Sequence, residues 1–585
     1  SSNGARSLIN SLKRHDFNIA FGYSGGAVLP VLDAFVKNDI KFVMNRDEQC
    51  SGHSAAGYFK SSGNPGLTVT TSGPGVTNLV TPLYDAYNDG VPFLALTGQV
   101  PTGSIGTDAF QECPATEITK PCTKWSYQIQ KGDNISQVID YAMDIMMKER
   151  MGPVHIDLPK DIMMEEYNES ETKWCEFPDK KDTNLKKIYP GEKDINHLFK
   201  LIEISERPVI LAGQGCLDCY QELREFVKKT NIPVTTTLHA MGVFDEREEQ
   251  SLHMLGMHGS VYANYAIQNS DLIITLGSRL DDRITGNMEG HAVKAHQAFN
   301  ENRGGLIHVD NSIEQIQKVK KISNPDISIH TECKDLLVEL NKYQYNKNRQ
   351  KWDNTIKKWK RKFPFYYSPS EIGLPKTQEV IKNIYQYVNT NNINDDMIIT
   401  TGVGNHQMMS AQFYRWTRPK SILTSGSAGT MGVGLPYAIG AQFANPDKKV
   451  LLLDGDGSFN MTLNDLGTIA ENNLPIKMVI FNDGRQQMVH VWQKLFFNNR
   501  FIATNNINPN YVDLASAFGI EGLKCDQSDD VKASIELMFE SKNSFLLEFQ
   551  IEPDICLPLV APGKNLDDMI TDYSKVLPME GLAPS

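Results

Sequence analysis

Residues 448–483 read KKVLLLDGDGSFNMTLNDLGTIAENNLPIKMVIFND. An apolar run, KKVLLLD, enters Gly455-Asp456-Gly457; a helix-like segment follows; a second apolar run, IKMVIF, ends in Asn482-Asp483. Short apolar runs joined by a helix are the pattern of a parallel β-α-β unit. Asp456 and Asp483 then both stand just past the carboxyl end of a strand, the edge at which open parallel sheets bind ligands. Two hard oxygen ligands beside glycines that admit close backbone approach suit Mg²⁺ holding a diphosphate, with Gly455, Gly457 and Ser458 in the turn.

The same alternation extends outward. FNIAFGY, IKFVMN, LTVTTSG, VPFLALTGQ and PVHIDLP read as strands separated by helical segments over residues 1–165. EEYNESETKWCEFPDKKDTNLKKIYP, about residues 165–190, lacks periodicity and reads as a linker. The pattern restarts over 190–345 with RPVILAGQG, IPVTTTL, DLIITLGSR and GLIHVD. NKNRQKWDNTIKKWKRKFPFYY is open to a helix and reads as a charged connector rather than a core element. A third unit over 375–550 carries DMIITTG, SILTSG, KKVLLLD, IKMVIFN and FLLEFQ. The expected fold class is α/β, with three consecutive doubly wound, mainly parallel sheets. Residues 551–585 have little periodicity and read as a surface tail.

At 585 residues the chain is too long for one core, and 40% hydrophobic with 22% charged residues is ordinary for globular protein. A formal charge of −12 argues against nucleic acid as a partner. There is no run of 18 apolar residues, so no membrane span is expected. The N-terminal SSNGARSLINSLKRHDF has no apolar signal core. A soluble protein of the cytoplasm or an organelle matrix is expected. Nine cysteines are scattered, and the lone pair Cys216 and Cys219 has no matching second pair for zinc. Reduced thiols are expected.

Three further turns follow strands. Arg46-Asp47-Glu48-Gln49 follows IKFVMN, where a glutamate alone is a helix N-terminal residue favoured by the dipole. Tyr23-Ser24-Gly25-Gly26-Ala27 and Ser72-Gly73-Pro74-Gly75 are glycine turns of the kind that bind phosphate at helix N-termini, or simply turn the chain tightly.

Residues 98–125, GQVPTGSIGTDAFQECPATEITKPCTKW, resemble the catalytic subunits of the acetohydroxyacid synthase (acetolactate synthase) family, the FAD-containing branch of the thiamine-diphosphate enzymes. Leu255-Gly256-Met257-His258-Gly259 and Ser278-Arg279-Leu280-Asp281-Asp282-Arg283 resemble that family's flavin segments. TTGVGNHQMMSAQ, TSGSAGTMGVGLPYAIGAQ, Met488-Val489-His490-Val491-Trp492-Gln493 and the tail PLVAPGKNLDDMI match in order. The resemblance covers nearly the whole chain.

It implies decarboxylation of pyruvate on thiamine diphosphate and condensation of the hydroxyethyl carbanion with a second pyruvate or 2-ketobutyrate, for branched-chain amino acid synthesis. Glu48 matches the glutamate that hydrogen-bonds N1′ of the aminopyrimidine, Gly429 the residue whose carbonyl holds the 4′-amino group, and Met431 the wedge that bends the cofactor. Gly26 matches the glycine facing the thiazolium. Gln111, Phe110 and Lys160 match pocket residues, and Met488 a cofactor contact. Asp456, Asp483 and the carbonyl of Arg485 match the Mg²⁺ ligands; a shifted register would make Asn482 the ligand, but ungapped spacing to Trp492 favours Asp483. Gly256, Met257, His258, Gly277, Arg279 and Asp310 fall in the FAD segments. Arg283, Val489 and Trp492 match the substrate channel. A homodimer or homotetramer is implied, with each active site between two chains, and a regulatory subunit often accompanies the family.

Five places depart from the family pattern: Ser24 for Pro, Asp47 for His, Asp483 for Asn, Gln487 for Gly, and Thr331-Glu332 for Gly-Asp. An acid beside Glu48 is expected to raise the glutamate's pKa if the two side chains approach. The alternatives are another thiamine-diphosphate or flavin enzyme such as pyruvate oxidase, and a catalytically weakened homologue. Glu48 argues against glyoxylate carboligase, and Asp281-Asp282 against the FAD-free branch.

Overall fold

The computed structural model of the chain describes residues 2–36, 38–177 and 188–572. The expected linker at 165–190 falls partly outside them, as does the end of the tail. Three six-stranded, all-parallel sheets follow one another along the chain. The first holds β1 (Ile19–Gly22), β2 (Lys41–Met44), β3 (Gly66–Thr70), β4 (Phe93–Gln99), β5 (Trp125–Gln128) and β6 (Val154–Pro159), in the order β2-β1-β3-β4-β6-β5. The second holds β7 (Pro208–Ala212), β8 (Val234–Thr236), β9 (Ser251–Met254), β10 (Leu272–Leu276), β11 (Gly305–Asp310) and β12 (Ile327–His330), in the order β12-β11-β10-β7-β8-β9. The third holds β13 (Met397–Thr401), β14 (Ile422–Leu423), β15 (Lys449–Gly455), β16 (Lys477–Asn482), β17 (Glu521–Cys525) and β18 (Phe545–Gln550), in the order β14-β13-β15-β16-β18-β17. The first and third sheets therefore share one topology. The middle sheet has the strand order common to dinucleotide-binding sheets. The α/β class expected from the alternation is the class observed.

Each sheet has a switch point where strand order reverses, and each is closed by glycine. Between β1 and β3, a Cβ on Gly25 would lie 2.2 Å from Thr71 Cβ. Between β7 and β10, a Cβ on Gly213 would lie 2.4 Å from the carbonyl oxygen of Gly277. Between β13 and β15, a Cβ on Gly402 would lie 2.0 Å from Ser458 Oγ. Only a residue without a side chain lets the loops approach this closely.

The first and third units share one hydrophobic core, with Phe21, Val43 and Phe59 packed among Leu435, Leu452 and Phe459. Its axis is the crossing of helix Glu48–Ser62 with helix Gly434–Ala444. A Cβ on Gly440 would stand 1.9 Å from Ser54 O, and one on Gly57 2.4 Å from Tyr437 O. The middle unit docks on the third through Arg224, which is held by the carbonyls of Gly242 and Val243 in its own unit and donates across to Thr417 O (2.8 Å). Glu246 adds a two-way bond, N–H to Trp416 O (3.0 Å) and carboxylate from Trp416 N–H (3.2 Å).

Two expectations need correction. The charged connector contains helix Gln350–Lys362, whose Trp352 and Ile356 are buried in the middle core. Its apolar residues recur every three or four positions, and the lysines between them concealed that stripe. The described part of the tail does not lie wholly on the surface: Leu559–Val560 and Met569–Ile570 form a two-stranded ribbon (β19, β20), and Leu566 is buried in the middle core. Among the described residues no helix is long and apolar enough to cross a membrane.

Two outcomes follow from these contacts. Gly440→Ala forces a methyl into Ser54 O and should cost about 1–3 kcal/mol, read as a lower midpoint in thermal melts. Burial pushes the Glu246 carboxyl up to about 8. Its folded-state pKa lies above the unfolded one, so its contribution is greatest near pH 4 and is lost as pH rises to about 8. Glu246→Gln keeps the acceptor for Trp416 N–H and should flatten the fall in stability between pH 5 and pH 8, measured by urea unfolding.

Candidate active site

At the third switch point, Asp456 opens helix Asp456–Phe459 directly after β15 and is buried. Its Oδ2 accepts from Asn506 Nδ2 (3.0 Å) and Asn508 Nδ2 (2.8 Å). Asp483, the residue after β16, has its carboxyl against that of Asp456. Burial, and next the charge of Asp456, push it up to about 8. Asn482 instead turns its Oδ1 to Gly484 N–H (3.0 Å) and Asn508 Nδ2 (2.9 Å), and its Nδ2 to Glu548 (3.1 Å). Arg485 N–H donates to Asp483 Oδ1 (3.1 Å), which folds the turn around the acid pair.

Two adjacent carboxylates in a buried site call for a cation. Among the described residues no group of three acid, His or Cys side chains could hold a metal ion. An ion at this pair therefore needs backbone or ligand oxygens as well, which is the donor set of Mg²⁺ carried with a diphosphate. The floor fits such a ligand. Gly432 N–H donates to Ser458 Oγ (2.9 Å), joining the loop of Met431 to the turn of Gly455, Gly457 and Ser458. Gly429 has φ +61°, and a Cβ there would meet nothing within 4 Å. The Gln486 side chain covers Gly457, a contact the sequence did not announce. Gln487 opens the helix Gln487–Phe496 that carries Met488, Val489 and Trp492.

The first switch point gathers a second set. Gly26 faces open space, with nothing within 4 Å of a built Cβ. Gly73 lies against Gln111, which itself has φ +59°. Phe110 beside it is 88% exposed. Glu48 begins its helix, and Asp47 is the N-cap, accepting from Cys50 N–H at 2.8 Å. The carboxyl of Asp47 is thus committed to the helix end, with Asn464 Nδ2 at 3.5 Å. Lys160 starts the short helix Lys160–Met164 at the end of β6, on the same carboxyl edge. Among the described residues no hydrogen bond or ion pair links Glu48 to Asp456, Asp483, Gly429 or Met431.

The middle switch point gathers a third set. Gly277 (φ +66°) packs on Gly215, where a built Cβ would come within 2.5 Å of Gly215 Cα. Gly256 (φ +110°) and Met257 lie on the carbonyl of Arg283, and Met257 O accepts from Val560 N–H of the tail (2.8 Å). His258 Nδ1 sits 3.3 Å from Pro558 O. Asp310 ends β11 and accepts from Ser312 N–H (2.9 Å); burial raises its carboxyl. Arg279 reaches across to Ser427 Oγ in the third unit. Arg150, a residue the sequence reading passed over, arrives here from the first unit, anchored on Asn88 O (2.6 Å). Burial, then the charge of Arg279, push its guanidinium down to about 10, and Asp310 acts in the opposite sense. Two guanidinium groups converging on a glycine-lined crevice suit a dinucleotide diphosphate. Arg283 is exposed beside this crevice, and Glu332 is the N-cap position of helix Cys333–Leu340. Cys216, Cys219 and Cys333 are buried free thiols nearby.

Residues 2–118 match the family described as "Thiamine pyrophosphate enzyme, N-terminal TPP binding domain", residues 195–340 its central domain, and residues 402–549 its C-terminal TPP binding domain. The chain is 40% identical over 577 residues to the mitochondrial acetolactate synthase catalytic subunit of Saccharomyces cerevisiae, covering 97% of this chain and 83% of that one. It is 37% identical over 587 residues to a probable acetolactate synthase large subunit of Methanococcus aeolicus (97% and 95% covered). It is also 37% identical over 585 residues to the chloroplastic acetolactate synthase of Arabidopsis thaliana (97% and 84% covered). With matches of this length and with both diphosphate-binding halves present, the chain belongs to the acetolactate synthases, within the thiamine pyrophosphate enzymes.

Proposed function

We propose that this chain condenses pyruvate, after decarboxylation, with a second pyruvate or 2-ketobutyrate, using thiamine diphosphate, Mg²⁺ and FAD. The observation that carries this reading is the facing pair of buried Asp456 and half-buried Asp483 on a glycine-lined crevice, which supplies half of a metal-diphosphate site. Thiamine diphosphate, when bound, would supply the electron sink that stabilises a carbanion at the keto carbon that loses CO₂. Asp456, Asp483 and the carbonyl of Arg485 would hold Mg²⁺; Gly455, Gly457, Ser458 and Met488 would line the diphosphate and its neighbours. Gly429 and Met431 would hold and bend the aminopyrimidine. Glu48 would keep a proton in place at N1′ of that ring. Gly26 leaves room for the reacting carbon, while Gln111, Phe110 and Lys160 flank it.

Gly213, Gly215, Gly256, Met257, His258, Gly277, Arg279 and Asp310 would form the FAD site, with Arg150 as an added cation for its diphosphate. The net condensation is not redox, so FAD has a structural place here. Arg283 would bind a keto-acid carboxylate by charge-assisted hydrogen bonds. Val489 and Trp492 would wall the channel.

A homodimer is the smallest assembly we propose. Phe110, Val489 and Ile502 expose 88%, 55% and 78% of their surface in the single chain, on loops and a helix that border the two half-sites. A twofold partner would cover them and bring its Glu48 to this chain's Gly429. The catalytic-subunit name of the yeast relative supports a regulatory companion, and the mitochondrial and chloroplastic names of relatives support an organelle matrix.

The purified protein with thiamine diphosphate, Mg²⁺, FAD and pyruvate is expected to form acetolactate without consuming oxygen. Product absent from a cofactor-loaded sample would overturn the reading. Glu48→Gln should lower kcat by about 10²-fold or more while Mg²⁺ and FAD still bind. Asp483→Asn removes one of two facing carboxylates, so the metal-free protein should melt at a higher temperature. The same substitution should shrink the Mg²⁺-induced rise in that midpoint, because the ion loses a charged ligand.

A further inference from the structure

Among the fully buried carboxylates outside these sets, Asp85 and Asp89 share one helix and one target. Asp85 and Asp89 stand one turn apart on helix Val80–Asp89 of the first unit, and neither exposes any surface. Both point at one short loop of the third unit, Ser425–Thr430. Asp85 accepts from Thr430 Oγ1 (2.9 Å), from Ser425 Oγ and from the buried Tyr437 hydroxyl. The two oxygens of Asp89 accept from consecutive backbone N–H groups, Gly426 (3.1 Å) and Ser427 (3.0 Å). Within the loop, Thr430 N–H donates to Ser425 Oγ (2.9 Å). Positions 425, 426, 427 and 430 are thus tied, and among the described residues no hydrogen bond holds Ala428 or Gly429.

The charge on Asp89 is met from two further directions. Lys60, in the last turn of the helix that begins at Glu48, lies 3.3 Å from one oxygen and also donates to Thr424 O (2.6 Å). His239 of the middle unit lies 3.2 Å from the other oxygen. The carbonyl of Asp89 accepts from Gln214 Nε2 (2.7 Å), also of the middle unit. Burying a carboxylate is unfavourable unless its bonds are complete, and simple adhesion between units is served as well by apolar contact. Here the bonds converge on one loop and bracket its one residue with positive φ, Gly429.

We propose that Asp85 and Asp89 are positioning residues for cofactor binding, acting through the 425–430 loop to fix the carbonyl of Gly429 against the aminopyrimidine. The inference rests on the reading of Gly429 given above. The same bonds connect that loop to the Glu48 helix through Lys60 and to the flavin crevice through the Arg279–Ser427 contact.

The test uses the FAD-loaded full chain with Mg²⁺. Thiamine diphosphate affinity is measured by isothermal titration, alongside kcat, the KM for pyruvate at saturating cofactor, FAD content and melting midpoint. Asp89→Asn places an amide NH₂ against one of two backbone N–H groups. Thr430→Val removes one hydroxyl donor and leaves the rest of the core alone. Thiamine diphosphate should bind about tenfold more weakly to Asp89→Asn, the scale of one charge-assisted hydrogen bond, and several-fold more weakly to Thr430→Val. Thr430→Ser should restore affinity, and KM for pyruvate, FAD content and the Thr430→Val midpoint should stay near the parent values. Should Asp89→Asn fail to fold, the two Thr430 variants decide. Unchanged affinity in Thr430→Val, or an affinity loss accompanied by equal losses of FAD and stability, overturns the inference. A parent protein that does not bind thiamine diphosphate overturns instead the reading beneath it.

Discussion

The arrangement depends on one contact, the crossing of helices Glu48–Ser62 and Gly434–Ala444. Glycines at 57 and 440 bring the two backbones together where any side chain would strike a carbonyl oxygen. Packing this close is favourable only if both surfaces stay small, and Ser54, Ala55 and Ala56 meet Ala438 and Ala441 in the same buried core region. The consequence is directional. The Glu48 helix is spent on its own chain's third unit along its length, while Glu48 sits at its start on the carboxyl edge of the first sheet. No polar contact among the described residues brings that glutamate to the acid pair of the same chain. Two half-sites with exposed apolar rims are the outcome, and the homodimer proposed above would complete both.

All three crevices are made the same way. Strand order reverses, two loops leave in opposite directions, and a glycine lets them touch: Gly25 on Thr71, Gly213 on Gly277, Gly402 on Ser458. What differs is the charge each receives. The third crevice gets two carboxylates, the middle one gets Arg150 and Arg279, and the first gets Glu48 and Lys160 on its rim. Acid pairs suit a metal ion and guanidinium pairs suit phosphate, so one repeated architecture is turned to separate ligands by a few side chains.

The strands read from the sequence are mostly those that lie inside the sheets, where burial on both faces demands a continuous apolar run. Within the three large sheets, the four strands not read, β5, β9, β12 and β17, all lie at sheet edges. WSYQ, SLHM, ISIH and EGLKC mix polar and apolar residues because an edge need not be apolar throughout. The glycine turns and the aspartates after strands were legible, since their meaning is local. Arg150, Gln486, Asn506 and Asn508 were not, because each acts on a residue brought near only by folding. Asp85 and Asp89 lay between these cases. Their spacing puts them on the face of Pro82 and Ala86, and an acid on a buried face is a signal that periodicity could have found.

The shared-site arrangement is tested most directly by complementation between two disabled chains. Glu48→Gln and Asp456→Ala chains are each purified inactive, mixed, dissociated and reassociated, and assayed for acetolactate. Sites built across two chains give mixed dimers with one site whose glutamate and metal ligands are both intact, so activity should return to about a quarter of the parent value, the statistical yield of random pairing with one working site in each mixed dimer. Activity that stays at zero, with mixed dimers demonstrated by mass, would contradict a site completed by the partner chain.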